Sequence, residues 1–344
     1  MVSIKMNFGK LATIMALSLV NMVHAQVDPN FYVFLAFGQS NMEGNAALPT
    51  PAVTFSPRFQ DLSAVTCGSR TQGKWANAVS PMVRCDTKFS PLEYFGKTLT
   101  DSLPASIKVG IVPVAVAGSA IRGFDQRSNK AYYAGEASWM QSIATTYGGD
   151  PYARLVAMAK IAQQTGVIKG ILLHQGETDG FKSGWGDTVK YIYEHLLSDL
   201  SLNAADVPLL AGEVYNNAGT NAGVDGLPKN IKTAYVISSA GCAAGSDNLH
   251  FTVAGYQLLG TRYAQQMLKL LPKVGVTPRT VNTASLNDAF GVYDVRGARV
   301  ALLHTTEATS VESEWNGIRG TLPRGIYWIK NASTGSAQRV LAGL

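Results

Sequence analysis

The sequence predicts an α/β domain, with a parallel sheet covered by helices on both faces, followed by a small all-β domain. From Phe31 onward, short apolar runs alternate with amphipathic segments, which is the pattern of such a sheet. After Leu271, two prolines break the chain and short β-like runs follow. We therefore expect one domain over residues 26–274 and a second over residues 275–344.

Five strands and four helices account for most of the first domain. Each strand is apolar along most of its length, as a strand covered on both faces should be. The predicted strands are residues 31–37, 109–116, 168–173, 209–214 and 234–238, and the predicted helices are residues 91–102, 152–165, 187–200 and 252–271. Residues 41–89 form an unusually long connection, which we expect to shape one wall of a binding cleft.

Composition and charge exclude several classes of protein. The 344 residues are 46% hydrophobic and 15% charged, which is typical of a folded globular chain rather than a disordered one. The 29 Lys and Arg exceed the 23 Asp and Glu, but they form no basic run. We therefore expect no nucleic-acid partner. The oligomeric state stays open.

The first 25 residues have the pattern of a secretory signal peptide. Lys5 and Lys10 precede an apolar stretch, and a small-residue cleavage signal ends at Ala25. The stretch is shorter than the roughly 20 residues that a membrane-spanning helix needs. We therefore expect cleavage near Ala25, no stable membrane insertion, and a secreted protein in the periplasm, at the cell surface or outside the cell.

The chain has three cysteines, and the expected export favours a disulfide between two of them. An oxidising compartment favours disulfides. Cys67 and Cys85 flank a segment that a disulfide would close into a loop, so we expect them to be bonded and Cys242 to have no disulfide partner. No second Cys or His lies at ligand spacing from any of them, so we expect no metal and no cofactor.

Polar residues gather where the predicted strands end. In an open parallel sheet, ligands bind at the carboxyl ends of the strands. Three polar blocks directly follow strands and a fourth precedes the last helix. The blocks are Gly38-Gln39-Ser40-Asn41-Met42-Glu43-Gly44, Ala117-Gly118-Ser119-Ala120, His174-Gln175-Gly176-Glu177-Thr178-Asp179 and Asp247-Asn248-Leu249-His250-Phe251.

These blocks hold the groups that acyl transfer requires. A serine alcohol needs a neighbouring base, a role that His250 can fill for Ser40. The negative oxygen of the intermediate needs donors already aimed at it. The backbone amides of Ser40 and Gly118 and the side chain of Gln175 are candidates. The chain has no G-x-S-x-G motif, which disfavours an α/β-hydrolase.

The four blocks resemble those of the SGNH hydrolases. Within that superfamily they resemble the sialate O-acetylesterase-like proteins and the sixth carbohydrate esterase family, which includes acetylxylan esterases. The matching motifs are G-Q-S-N-M, Gly118, H-Q-G-E and D-x-x-H-F, and the resemblance covers about residues 29–272. It implies a flavodoxin-like, three-layer α/β/α domain with a five-stranded parallel sheet.

The resemblance also implies a role for individual residues. Ser40 corresponds to the nucleophile and His250 to the general base, with Gly118 and Gln175 as oxyanion donors. Asp247 matches the D-x-x-H acid that orients the base, and Glu177 is the alternative acid. Residues expected to contact substrate are Gln39, Asn41, His174 and Arg122.

The expected function is that of a secreted serine esterase that deacetylates carbohydrate, with acetylated xylan as the expected substrate. A sialate O-acetylesterase or a broad short-acyl esterase is the alternative within enzymes, and a catalytically inactive glycan-binding protein is the alternative outside them. Trp75, Trp139 and Trp185 could each stack on a sugar or fill an edge of the core. The C-terminal residues resemble secretion-sorting domains of exported bacterial enzymes, and an accessory module is the alternative.

Overall fold

The computed structural model describes residues 27–180, 183–216, 218–272, 289–294, 298–304, 311–323, 325–331 and 337–342. The predicted signal peptide lies outside the described residues. The chain divides into two compact units, with the boundary after Leu271. In the part of the chain that the structure describes, every helix is too short or too polar to span a bilayer.

A seven-stranded sheet forms the centre of the first unit, and the fold class that the sequence predicts is confirmed. The strands are β1 (Phe31–Gly38), β2 (Phe59–Leu62), β3 (Trp75–Asn77), β4 (Lys108–Ala115), β5 (Val167–His174), β6 (Leu209–Gly212) and β7 (Ala234–Ile237). They lie in the order β3-β2-β4-β1-β5-β6-β7. All pairs are parallel except β2 with β3.

Helices cover both faces of this sheet. They are α1 (Ser40–Glu43), α2 (Leu92–Ser102), α3 (Asn129–Ala134), α4 (Ser138–Thr146), α5 (Pro151–Ala162), α6 (Trp185–Asp199), α7 (Ala218–Asn230) and α8 (Val253–Leu270), with a 3₁₀ turn at Ile121–Phe124. Successive side chains of the central strand point to opposite faces. Accordingly Leu35 packs in the cluster that holds α5 and α6, whereas Phe34 packs in the cluster that holds α2 and α8.

The register of the three central strands aligns their carboxyl ends. Gly38 at the end of β1 lies opposite Ala115 of β4 on one side and His174 of β5 on the other. Three of the four polar blocks therefore leave the sheet side by side. The fourth is placed by α8, whose first turn is capped by Thr252 accepting a hydrogen bond from the Gly255 amide at 3.2 Å.

The long connection contributes two strands that the sequence analysis did not predict, so the sheet has seven strands rather than five. Both are short and contain polar residues, Gln60 and Asp61 in β2 and Asn77 in β3, so no apolar run marks them. Trp75 of β3 packs against Phe31 with ring centroids 4.7 Å apart, and its indole N–H donates to Thr165 Oγ1 at 3.0 Å. Trp75 therefore fills an edge of the core.

The cysteines are placed in two environments. Cys67 and Cys85 are joined in a disulfide that closes a loop within the long connection. Cys242 is free and buried.

The second unit is a four-stranded antiparallel sheet with one helix that the sequence analysis did not predict. Its strands are β8 (Ala289–Tyr293), β9 (Arg299–His304), β10 (Gly325–Asn331) and β11 (Ala337–Ala342), in the order β11-β10-β8-β9, and the helix is α9 (Val311–Ile318). Trp315 of this helix packs in a small core with Val292, Leu303 and Tyr327. The segments that resemble sorting domains are residues 292–297 and 322–327, and their residues 295–297 and 324 lie outside the described residues.

A buried carboxyl in α2 makes the stability of the first unit depend on pH. Burial raises the pKa of Glu93 to about 7, although Ser90 donates hydrogen bonds to it. The folded chain therefore holds this proton more tightly than the unfolded chain. The contribution of protonated Glu93 to the free energy of unfolding is complete below the ordinary pKa of 4.5 and is lost as the pH rises through about 7.

We expect Glu93→Gln to remove this dependence, because the amide keeps an acceptor for Ser90 and carries no charge. Between pH 4 and pH 8, the free energy of unfolding of the wild type should fall relative to that of the variant by on the order of 3 kcal/mol. Denaturant unfolding at several pH values measures the difference. Parallel curves for the two proteins would contradict the prediction.

Candidate active site

The turn after β1 brings Ser40 to the carboxyl edge of the sheet. Gly38 has a φ of +155°, and a Cβ there would lie 2.0 Å from the backbone oxygen of His174. Only glycine allows β1 and β5 to approach so closely at this point. The chain then turns into the short helix α1, whose first residue is Ser40, and the Gln39 carbonyl accepts from the amides of Met42 and Glu43.

Ser40, His250 and Asp247 form a continuous chain of hydrogen bonds. The His250 ring places Nε2 2.8 Å from Ser40 Oγ and Nδ1 2.7 Å from Asp247 Oδ2. A carboxylate can only accept, so Nδ1 carries the proton and Nε2 is free to accept from the serine hydroxyl. The sequence predicts these three residues together, and the structure brings them together.

A tight turn holds the carboxylate of this chain. Asp247 Oδ1 accepts from the amides of Leu249 and His250, each at 3.0 Å. The hydrogen bond from the His250 ring, followed by those two amides, lowers the pKa of Asp247 to about 2. Asp247 is therefore ionised well below neutral pH, although its side chain is half exposed.

Glu177, the alternative acid, is occupied elsewhere. Its Oε1 accepts from Asn41 Nδ2 at 2.6 Å and lies 3.4 Å from His174 Nε2. Burial alone would raise the pKa of Glu177, but the hydrogen bonds and charge interaction with His174 and the Asn41 amide outweigh it and lower the pKa. The structure thus pairs Asp247, and not Glu177, with His250.

Asn41 connects three of the polar blocks. Its Nδ2 donates to Glu177 and, at 3.1 Å, to the Leu249 carbonyl, while its Oδ1 accepts from the Phe251 amide at 3.3 Å and the Tyr256 hydroxyl at 2.7 Å. Every hydrogen-bonding position of the amide is used. The side chain therefore joins the nucleophile turn to the third block and to the loop that carries His250.

The expected substrate contacts of Gln39, Asn41 and His174 need correction. None of the three residues is more than 2% exposed. Gln39 Oε1 accepts from the Gln175 side chain and from the amides of Gly176 and Thr178, and His174 packs edge-on against an aromatic ring. These side chains hold the polar blocks together beneath the site. Arg122 is exposed, with its guanidinium group 4.6 Å above the Tyr132 ring.

Gln175 also has an internal role, which corrects its assignment as an oxyanion donor. Its Nε2 lies 3.1 Å from Gln39 Oε1, 3.1 Å from the Ser119 carbonyl, and within hydrogen-bond distance of Asp179. Its Oε1 accepts from the Trp185 indole at 2.6 Å. The two N–H groups of the amide already face three acceptors, so neither is left for a substrate oxygen.

Two backbone amides remain as unpartnered donors at the edge of the sheet. Within the described residues, the N–H groups of Ser40 and Gly118 make no hydrogen bond. Gly118 has a φ of +69°, and its carbonyl accepts from Thr178 Oγ1 at 2.8 Å, which holds the second block against the third. Within the same residues, no group of three His, Cys, Asp or Glu side chains could hold a metal ion.

A buried ion pair beneath the site was missed by the sequence analysis. Arg84 donates to Glu43 Oε1 at 2.5 Å and to the Ala115 carbonyl at 3.0 Å, and Glu43 also accepts from the Ala117 amide at 3.3 Å. The pair ties the nucleophile turn to the segment that leads into Gly118. A single arginine in a long connection has no spacing pattern that could have identified it.

The three-layer fold thus carries a hydrogen-bonded serine, histidine and aspartate at its carboxyl edge. Residues 30–269 match a family model described as carbohydrate esterase, sialic acid-specific acetylesterase. The chain belongs to that family of carbohydrate acetylesterases, in agreement with the resemblance that its motifs predict.

Individual relatives are distant. A probable carbohydrate esterase of Arabidopsis thaliana is 23% identical over 266 residues, which cover 72% of this chain and 93% of the relative. An X-ray structure of an Arabidopsis protein has a TM-score of 0.54 at 23% identity and covers 70% of this chain and 99% of that one. The structure of a carbohydrate acetylesterase from Xanthomonas citri has a TM-score of 0.50 at 16% identity, and the match covers 80% of this chain and 63% of that one. At these identities, the structures support the fold.

Proposed function

We propose that this protein is a secreted serine esterase that removes acetyl groups from carbohydrate, with acetylated xylan as its substrate. The observation that carries the proposal is the hydrogen-bonded chain from Ser40 Oγ through the His250 ring to Asp247. It joins an alcohol, a base and an orienting carboxylate beside two unpartnered backbone amides. An acyl-enzyme mechanism requires this combination of groups.

The first half of the reaction acylates the serine. Ser40 Oγ attacks the acetyl carbonyl carbon while His250 Nε2 takes the hydroxyl proton. The carbonyl oxygen becomes an oxyanion that accepts from the amides of Ser40 and Gly118. When the intermediate collapses, the bond to the sugar oxygen breaks, and that oxygen leaves with the proton from His250.

The second half regenerates the enzyme. Water gives its proton to His250 Nε2 and attacks the acetyl-enzyme, and acetate leaves as Ser40 recovers its proton. Asp247 acts throughout by holding the imidazole in the tautomer that accepts at Nε2 and by stabilising its charged form. Because its pKa is about 2, Asp247 stays ionised while His250 gains and loses the proton.

Arg122 is the candidate for contact with an acidic substituent on the sugar. Its guanidinium group is exposed and finds no acceptor among the described residues, while the Tyr132 ring supports it from one side. Acidic substituents occur both on xylan and on sialic acid, so this contact suits either substrate. The sialic acid description of the matching family favours sialate as the second candidate.

Export and domain organisation are parts of the same proposal. The basic and apolar pattern of residues 1–25 supports a signal peptide, and a disulfide between Cys67 and Cys85 suits an oxidising compartment. The esterase then occupies residues 26–274, and residues 275–344 serve as a sorting or accessory domain.

We expect Ser40→Ala to lower the hydrolysis of 4-nitrophenyl acetate by about a thousandfold or more, because the variant has no nucleophile. The wild type should also be labelled covalently by a fluorophosphonate, and the variant should not. Ser119→Ala is the matched control, since it removes a nearby hydroxyl from the second block and should retain activity. An active, well-folded Ser40→Ala protein would contradict the mechanism, and an unlabelled wild type would favour an inactive glycan-binding protein.

Asp247→Asn should lower kcat by about a hundredfold or more, because an amide no longer selects the tautomer that accepts at Nε2. Glu177→Gln, which keeps the acceptor for Asn41, should retain at least about a tenth of the wild-type kcat. Initial rates, together with thermal unfolding of each variant, measure the comparison. The reverse order of activities in two folded variants would assign the orienting role to Glu177.

Acetate release should be faster from acetylated xylan than from O-acetylated sialic acid at equal ester concentration. An enzymatic acetate assay on both substrates measures the ratio of kcat/KM values. A preference for sialate would replace xylan as the substrate while leaving the Ser40 mechanism in place.

A further inference from the structure

Trp139 is the exposed tryptophan of the esterase unit. It lies in α4 and is 53% exposed, whereas Trp185 is 6% exposed and Trp75 is half-buried. An isolated exposed apolar residue is common on protein surfaces, so exposure alone has no functional meaning. Its position and its unused polar group distinguish Trp139 from the other two tryptophans.

The indole ring lies against the loop that carries one of the proposed oxyanion donors. A Cβ on Gly118 would stand 2.7 Å from Cη2 of the Trp139 ring and 3.1 Å from the end of the Met140 side chain. The absence of a side chain at Gly118 therefore lets the ring approach the backbone. The Cη2 edge of the ring therefore lies next to the backbone of Gly118, whose amide we assign to the acetyl oxygen.

The indole N–H of Trp139 is available to a ligand. Trp75 and Trp185 donate this hydrogen to Thr165 Oγ1 and to Gln175 Oε1, at 3.0 and 2.6 Å. Within the described residues, Trp139 has no acceptor for it. An aromatic surface with a free donor at its edge matches a pyranose ring, which presents a face of C–H groups and a rim of hydroxyl oxygens.

We propose that Trp139 forms a sugar-stacking subsite that binds the pyranose ring of the ester substrate. The proposal rests on the proposed function, because it takes the acetyl oxygen to lie at the Gly118 amide. Only three bonds separate that oxygen from the sugar carbon that bears the ester. The ring attached to this carbon must therefore pass close to Gly118, where the indole lies.

This subsite gives the reaction a means of distinguishing sugar esters from simple acetates. Contact with a part of the substrate that does not react contributes binding energy to the ground state and the transition state alike. Loss of the ring should therefore raise KM for a sugar ester and change kcat little. An acetate ester without a ring should be unaffected.

The test compares Trp139→Ala with the wild type on two kinds of ester. The sugar ester is whichever of acetylated xylo-oligosaccharide and O-acetylated sialic acid the wild type prefers. On that ester, we expect Trp139→Ala to have about a tenfold lower kcat/KM because its KM is higher. On ethyl acetate, which has no ring, we expect a change of less than about threefold. Trp139→Phe should fall between the two proteins, because it keeps an aromatic face and loses the donor.

Trp328→Ala is the matched control, since Trp328 is also exposed, at 43%, and lies in the C-terminal unit. It should leave all rates unchanged. Equal losses on both esters in Trp139→Ala would show that the ring supports the Gly118 loop, and no loss on either would show that it binds nothing. Both outcomes would overturn the subsite.

A failure of the proposed function would be recognised separately. If the wild type hydrolysed neither ester, calorimetric titration of xylo-oligosaccharides and of sialyllactose would test the subsite without chemistry. Weaker binding to Trp139→Ala than to the wild type would then support a sugar platform in a binding protein. Equal binding by the two proteins, or binding by neither, would overturn the subsite.

Discussion

The site depends on the buried amide of Asn41, which lies one residue after the proposed nucleophile. It is bonded to side chains and backbone up to 215 residues away in the sequence, in the third block and in the segment around His250. In a buried position, each donor or acceptor left unpaired costs about 1 to 3 kcal/mol. The arrangement in which all its partners are present is therefore strongly favoured, and in that arrangement Ser40 lies 2.8 Å from the His250 ring.

The carboxylates around the site divide into two groups by burial. Glu43 and Glu177 are buried, and they connect segments of the chain: Glu43 binds Arg84 of the long connection, and Glu177 accepts from the Asn41 amide of the first block. Asp247 is half exposed, and its position comes from a local turn rather than from the core. A carboxylate that must stabilise a transient charge on an imidazole gains from a setting in which it stays ionised without a competing cation. Asp247 meets that condition, whereas Glu43 is already neutralised by Arg84.

The sequence was sufficient to predict the parts of the fold that follow from periodicity. The five predicted parallel strands, and the polar blocks that follow three of them, are marked by apolar runs that stop at glycine and polar residues. The roles of Gln39, Asn41 and Gln175 could not be predicted in this way. A motif shows that an amide lies near the nucleophile, but its burial depends on residues such as Trp185 and Tyr256 that arrive from distant helices. Strands β2 and β3 were missed because polar residues interrupt them, so no apolar run marks them.

The residues that we propose for the reaction and those that we propose for sugar binding differ in how their polar groups are bonded. The proposed nucleophile and base, Ser40 and His250, are hydrogen-bonded to each other, and the buried amides that hold the blocks around them find their partners inside the protein. Trp139 and Arg122 lie in the segment after the second block, and each leaves polar hydrogens unused at the surface. On our proposal, changes in these two surface residues would alter which sugar is held without disturbing the buried network.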